Sequence, residues 1–124
     1  MSVTTPLGFR ASGVISDGRA DAVVLNSGGA NACTGAPGFQ DTHRTAEHVG
    51  EVLRVAAGDV VVCSTGLIGE RLPMGLLLPG VEAAVEELSV DGGPAAATAI
   101  MTTDSVPKTA TAVRDGRSVG GMAK

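Results

Sequence analysis

Val60-Val61-Val62-Cys63-Ser64-Thr65-Gly66-Leu67-Ile68-Gly69 is the stretch around which the chain is organised. Val60 to Cys63 is apolar and mostly β-branched, which predicts a short buried strand. Ser64-Thr65-Gly66 then breaks the run with small polar residues, and Gly69 follows. A strand that stops at such a turn can aim backbone N–H groups outward, and glycine lets a ligand approach that backbone closely. Thr65 and Gly66 are therefore candidates for an oxyanion hole, with a Thr hydroxyl or amide beside a Gly amide. An ordinary strand-ending turn accounts for the same pattern.

A second segment has the same logic. Ala22-Val23-Val24-Leu25 is a short apolar strand that runs into Asn26-Ser27-Gly28-Gly29-Ala30-Asn31-Ala32-Cys33-Thr34-Gly35. The small turn-forming residues predict a loop. It either brings amides and two Asn side chains to a ligand or is a plain connector.

Between and after these strands lie helical patterns. Asp41 or Thr42 can cap a helix running to about Ala56 or Ala57, with Ala46, Val49, Leu53 and Ala56 on one face. His43 and His48 are five residues apart, the wrong spacing for a same-face metal pair. Pro79 opens a second helix, with Val81, Ala84, Val85 and Leu88 apolar. Pro94 opens a third, Ala95 to Met101, read as helical and buried. Thr109 to Val113 and Ser118 to Met122 alternate as strands joined by an Asp115-Gly116 hairpin turn. The chain divides into a weakly patterned segment, 1–20, and a single domain, 21–124.

Composition narrows the class. The 124 residues are 44% hydrophobic and 18% charged, which excludes disorder by composition. A net charge of −4 and an aromatic content of 2% argue against nucleic-acid and anionic-membrane partners. No apolar run approaches membrane-span length, and Met1 to Arg10 has no signal-peptide pattern. The expected location is cytoplasmic, so Cys33 and Cys63 read as thiols. Neither a phosphatase loop nor a P-loop is present: Gly69 stands where the former needs arginine, and Gly-Lys-Ser/Thr is missing. A Cys/His pair can be drawn from Cys33 or Cys63 with His43 or His48, but nothing in the sequence favours it.

Three segments in order carry a resemblance. They are Val24 to Gly35; Cys63 to Gly69 with Leu72-Pro73-Met74; and Ala99-Ile100-Met101-Thr102-Thr103-Asp104 with Pro107-Lys108 and Val119-Gly120-Gly121-Met122-Ala123-Lys124. Together they resemble the N-terminal, α-chain half of the ornithine acetyltransferase family. The resemblance implies an α/β fold of layered sheet and helices, here incomplete, and acetyl transfer from N-acetylornithine to glutamate in arginine biosynthesis. It implies no bound cofactor, although some members take acetyl-CoA as co-substrate. It also implies a precursor that cuts itself into α and β chains, with the new N-terminal threonine of the β chain as nucleophile, and an oligomer in the complete enzyme.

Carried over residue by residue, the family's oxyanion hole falls on Thr65 and Gly66. Its substrate-binding threonine falls on Thr102 or Thr103, and its substrate-binding lysine on Lys124. Three departures accompany the match. Only Ile15 to Ala20 stand between the glycine-led segment Leu7 to Val14 and the first motif, where the family has several strands. Gly29 replaces the usual Asn. The cleavage-site threonine and the β half lie outside these 124 residues, so this chain alone is expected to be inactive. The other expectation is a non-catalytic remnant or interaction chain that needs a partner.

Overall fold

A computed structural model describes residues 17–124. The signal-peptide question at Met1 to Arg10, the glycine-led segment Leu7 to Val14 and most of the weakly patterned segment lie outside the described residues.

The element order is β1 (Ala22–Gly29), α1 (Gly35–Leu53), a 3-10 turn (Ala57–Asp59), β2 (Val60–Leu67), α2 (Met74–Glu86), α3 (Gly93–Ala99), β3 (Lys108–Arg114) and β4 (Arg117–Ala123). Strands β1 and β2 pair in parallel, and β3 and β4 form an antiparallel hairpin. A parallel pair needs a crossover, and α1 supplies it. Ala46 and Val49 of α1, Val60 and Val62 of β2 and Val81 of α2 form the core. The alternation of a strand puts Val23 and Leu25 on the opposite side of β1, where they remain 59% and 51% exposed. The α/β class is the one expected, built as helices over one face of a small sheet.

Several boundaries differ from the sequence expectation. Both strands of the parallel pair are longer. β2 does not stop at Cys63: Ser64, Thr65 and Gly66 continue it, opposite Asn26, Ser27 and Gly28 of β1. Small residues on both strands suit this pairing, so the glycine-rich stretches form a ladder where a turn and a loop were expected.

Helix α1 starts at Gly35, and Asp41 and Thr42 are buried inside it rather than capping it. Pro37 fits there because the first turn of a helix has N–H groups without intrahelical partners. The helix ends at Leu53, with Arg54 left-handed at φ 58°. Helix α2 begins at Met74, so Pro79 lies within it. Having no N–H, Pro79 gives no helical hydrogen bond to the carbonyl of Gly75, four residues earlier. Of the segment Ala95 to Met101, expected to be helical and buried, the helix ends at Ala99 and only Ala97 and Ile100 are buried.

The hairpin is as read. Asp115 and Gly116 both have positive φ, 51° and 74°, the requirement of a two-residue I′ turn. Every residue of β3 and β4 is exposed. Among the described residues, no helix is long and apolar enough to cross a membrane.

Candidate active site

The site is built from the C-terminal ends of β1 and β2 and from the segment that follows α3. Thr65 stands beside Ser27, and Gly66 beside Gly28. Gly66 has φ 133°, a conformation glycine adopts without penalty. The Thr65 side chain is half-buried, and its hydroxyl bonds no other described residue. Its neighbour Ser64 carries a buried Oγ with no hydrogen-bond partner among the described residues. Sequence reasoning passed over Ser64 because a serine in a Ser-Thr-Gly run looks like turn chemistry.

Opposite Thr65, the Ser27 hydroxyl donates to the Ala99 carbonyl at 2.7 Å. That bond ties the parallel pair to the start of the segment Ala99 to Asp104. Within the segment the structure joins two residues far apart in sequence. The Lys124 ammonium donates to Thr102 Oγ1 across 22 positions and to Asp104 Oδ2 at 2.7 Å. Thr103 is exposed and makes no such contact, so Thr102 is the threonine that meets Lys124.

Asp104 is the hub of this cluster. Oδ1 accepts from the Lys108 ammonium, and Oδ2 also accepts from the Thr102 N–H at 3.3 Å. The two lysines and this amide hold its carboxyl well below the usual carboxylate range, Lys108 contributing most. Asp104 was legible only as part of a motif, since the hairpin that returns Lys124 to it is a long-range contact.

The Asn side chains of the glycine-rich stretch turn to their own chain. Asn31 is buried; its Nδ2 donates to the Gly38 carbonyl at 3.0 Å and to Thr42 Oγ1 at 2.9 Å, and its Oδ1 accepts from Thr34. Asn26 Nδ2 donates to the Gly29 carbonyl at 3.0 Å. Together they staple the β1–α1 connection.

A bidentate ion pair fixes the segment that follows Thr65-Gly66. Arg71 Nε and a terminal guanidinium nitrogen donate to the two oxygens of buried Asp41, at 2.9 and 2.8 Å. The Gly69 N–H donates to the Ala32 carbonyl at 2.9 Å on the same segment. An apolar cleft of about 560 Å³ opens between the end of β1 and α2, lined by Leu67, Leu72 and Leu77 among others. Neither Thr65, Thr102 nor Lys124 lines it.

The titratable groups elsewhere diverge. His43 Nδ1 meets the Phe39 carbonyl at 3.0 Å, whereas His48 Nε2 lies 3.1 Å from a Glu82 carboxylate oxygen on α2. No group of three or more His, Cys, Asp or Glu among the described residues could hold a metal ion. Cys33 and Cys63 are free, and burial pushes the Cys63 thiol up, against the needs of a nucleophile.

The model of the ArgJ family matches residues 5–124. The arginine biosynthesis bifunctional protein ArgJ of Streptomyces coelicolor is 65% identical over 111 residues, 90% of this chain and 29% of that protein. Its counterpart in Thermobifida fusca is 48% identical over 168 residues, covering all of this chain and 44% of that protein. That alignment is longer than the chain's 124 residues, so the relative carries a stretch without a counterpart here. The chain thus spans less than half the length of these curated relatives.

Among solved structures, the ornithine acetyltransferase of Mycobacterium tuberculosis, complexed with ornithine, matches with a TM-score of 0.92 at 51% identity. The ArgJ protein of Bacillus halodurans matches with 0.81 at 32% identity. Each match covers 98% of this chain and 67% of the other. With the family model spanning nearly every residue and the backbone matching that of solved relatives, the chain belongs to the ArgJ family.

Proposed function

We propose that this chain forms part of the active site of an ornithine acetyltransferase of arginine biosynthesis. The observation that carries the proposal is the meeting of Lys124 with Thr102. The motif resemblance assigns both residues to the substrate, and the fold brings them together without reference to that assignment.

In this reading the acetyl group passes from N-acetylornithine to glutamate. A threonine hydroxyl from a β chain, the remainder of the family's sequence, attacks the acetyl carbonyl. The tetrahedral oxyanion then collapses, the C–N bond breaks, and ornithine leaves as the amine after taking up a proton. The amine of glutamate attacks the resulting ester and frees the threonine. Thr65 and Gly66 act as oxyanion donors to the negative oxygen of each tetrahedral state. The Thr65 hydroxyl, which bonds no other described residue, supports this role. Thr102 and Lys124 hold the substrate. The chemistry needs no metal or bound cofactor, and acetyl-CoA is an alternative acetyl source in some members. The setting is cytoplasmic, and the complete enzyme is an oligomer.

The exposed Val23, Leu25, Val113 and Val119 support a chain that is completed by further polypeptide. They equally suit a non-catalytic interaction chain. One experiment separates the two: complement this chain with the remainder of an ArgJ sequence, then assay N-acetylornithine with glutamate. Thr65→Ala should lower kcat by about 10²–10³ and leave KM nearly unchanged. No turnover in the complemented enzyme would favour the interaction chain. Turnover unaffected by Thr65→Ala would place the oxyanion donors elsewhere.

A further inference from the structure

We propose that Asp104 is the positioning residue of the substrate contact: it aims the Lys124 ammonium at Thr102 while Lys108 occupies its other oxygen. The inference rests on the assignment of Thr102 and Lys124 to the substrate.

A lysine is a point charge on a flexible stem, and fixing it costs rotamer entropy. Lys124 lies just beyond the last paired residue of β4, where the ladder no longer constrains it. Thr102 lies in irregular chain between α3 and β3. Something must hold these two in register, and Asp104 touches both: its Oδ2 takes the Lys124 ammonium at 2.7 Å and the Thr102 N–H at 3.3 Å.

Lys108 has a distinct part. By bonding Oδ1 it shares the carboxylate, so Lys124 does not hold the whole counter-charge. Two ammonium groups on one carboxylate leave the cluster with net positive charge. That suits the α-carboxylate of an amino acid, which Lys124 can meet without leaving Asp104. An uncharged residue at 104 removes the shared counter-charge. The two ammonium groups then repel each other, and Lys124 swings away from Thr102.

The test is steady-state kinetics on the chain complemented with the remainder of an ArgJ sequence, varying N-acetylornithine. Asp104→Asn is expected to raise KM about tenfold with kcat held within about threefold, the signature of lost uniform binding. Asp104→Glu, which keeps the charge, is expected to bring KM back to within about threefold of the parent. Circular dichroism checks folding. Should Asp104→Asn fail to fold, Lys108→Gln replaces it, because Lys108 is exposed and outside the core. It is expected to raise KM about threefold at unchanged kcat.

An unchanged KM in the folded variant overturns the proposal, as does a kcat that falls in step with kcat/KM. Lys124→Ala separates the levels. If it raises KM while Asp104→Asn does not, only the positioning role fails. If it leaves KM unchanged, the substrate assignment itself fails and the positioning role with it.

Discussion

Gly66 stands so close to Gly28 across the β1–β2 pair that a methyl group on Gly66 would lie 2.4 Å from the Gly28 carbonyl carbon and oxygen. The residue is glycine because a neighbouring strand approaches it. A ligand is not needed to explain it, although the sequence alone suggests one.

Gly66→Ala is therefore expected to act on folding before it acts on chemistry. The left-handed φ alone costs on the order of 1–3 kcal/mol for a residue with a Cβ, and the clash with backbone adds to it. Urea unfolding of the purified chain measures the loss. Stability equal to the parent would mean that β1 and β2 can separate without penalty.

Arg71 and Asp41 couple the segment after β2 to helix α1. Removing Arg71 leaves the Asp41 carboxylate, with a side chain only 7% exposed, without its partner. Arg71→Ala and Asp41→Asn should each destabilise the chain, and the double variant should lose less than the sum. Chemical denaturation of the four proteins gives the cycle. Strict additivity would show that the pair contributes nothing as a pair.

Acid should dissolve the Asp104 cluster. Its carboxyl titrates in the folded chain well below the ordinary range, held there by Lys108, Lys124 and the Thr102 amide. A depressed folded value means that the unfolded chain binds the proton more readily, so stability rises with pH across this window. The contribution is complete above the unfolded carboxylate value of about 3.9 and is lost as pH falls through the folded one. The stability gap between the parent and Asp104→Asn should narrow steadily as pH drops below about 4. A gap that stays constant there, in thermal melts, would contradict the assignment.

The two thiols should react at different rates. Cys33 is exposed, whereas Cys63 is half-buried with its thiol pushed up by desolvation. Iodoacetamide labelling of the native chain, read by mass spectrometry, should modify Cys33 at least about tenfold faster. Equal rates would mean that the β2 strand opens readily.

Much of this was legible in the sequence, and the boundaries show where it was not. The hairpin was read correctly because Asp115-Gly116 is a local signal, with both residues suited to positive φ. Ala46 and Val49 fall on one apolar helix face by spacing, which is local too, and both sit in the core. Asp41 looked like a cap, since an acidic residue before an apolar face is a helix-start pattern. It is buried within the helix, and its partner is Arg71, thirty residues away. Ser64 to Gly66 looked like a turn because small polar residues favour turns in isolation. The partner strand, with glycines of its own, made them a ladder. Thr102 and Lys124 came from motif resemblance. Their meeting, and the carboxylate that holds them, depends on a hairpin returning the chain to its start.

That hairpin works as a ruler. Lys108 pairs with Ala123 at its base, one residue before Lys124, and Arg114 pairs with Arg117 at its tip. The distance from Thr102 to the Lys124 ammonium is thus set by a count of residues. Adding one residue to each strand beside the tip lengthens the hairpin and leaves the base untouched. Adding one residue to a single strand shifts the pairing and turns each side chain beyond it to the other face. Chains that keep the Lys124 contact are free to vary this hairpin in length, but only by matched pairs.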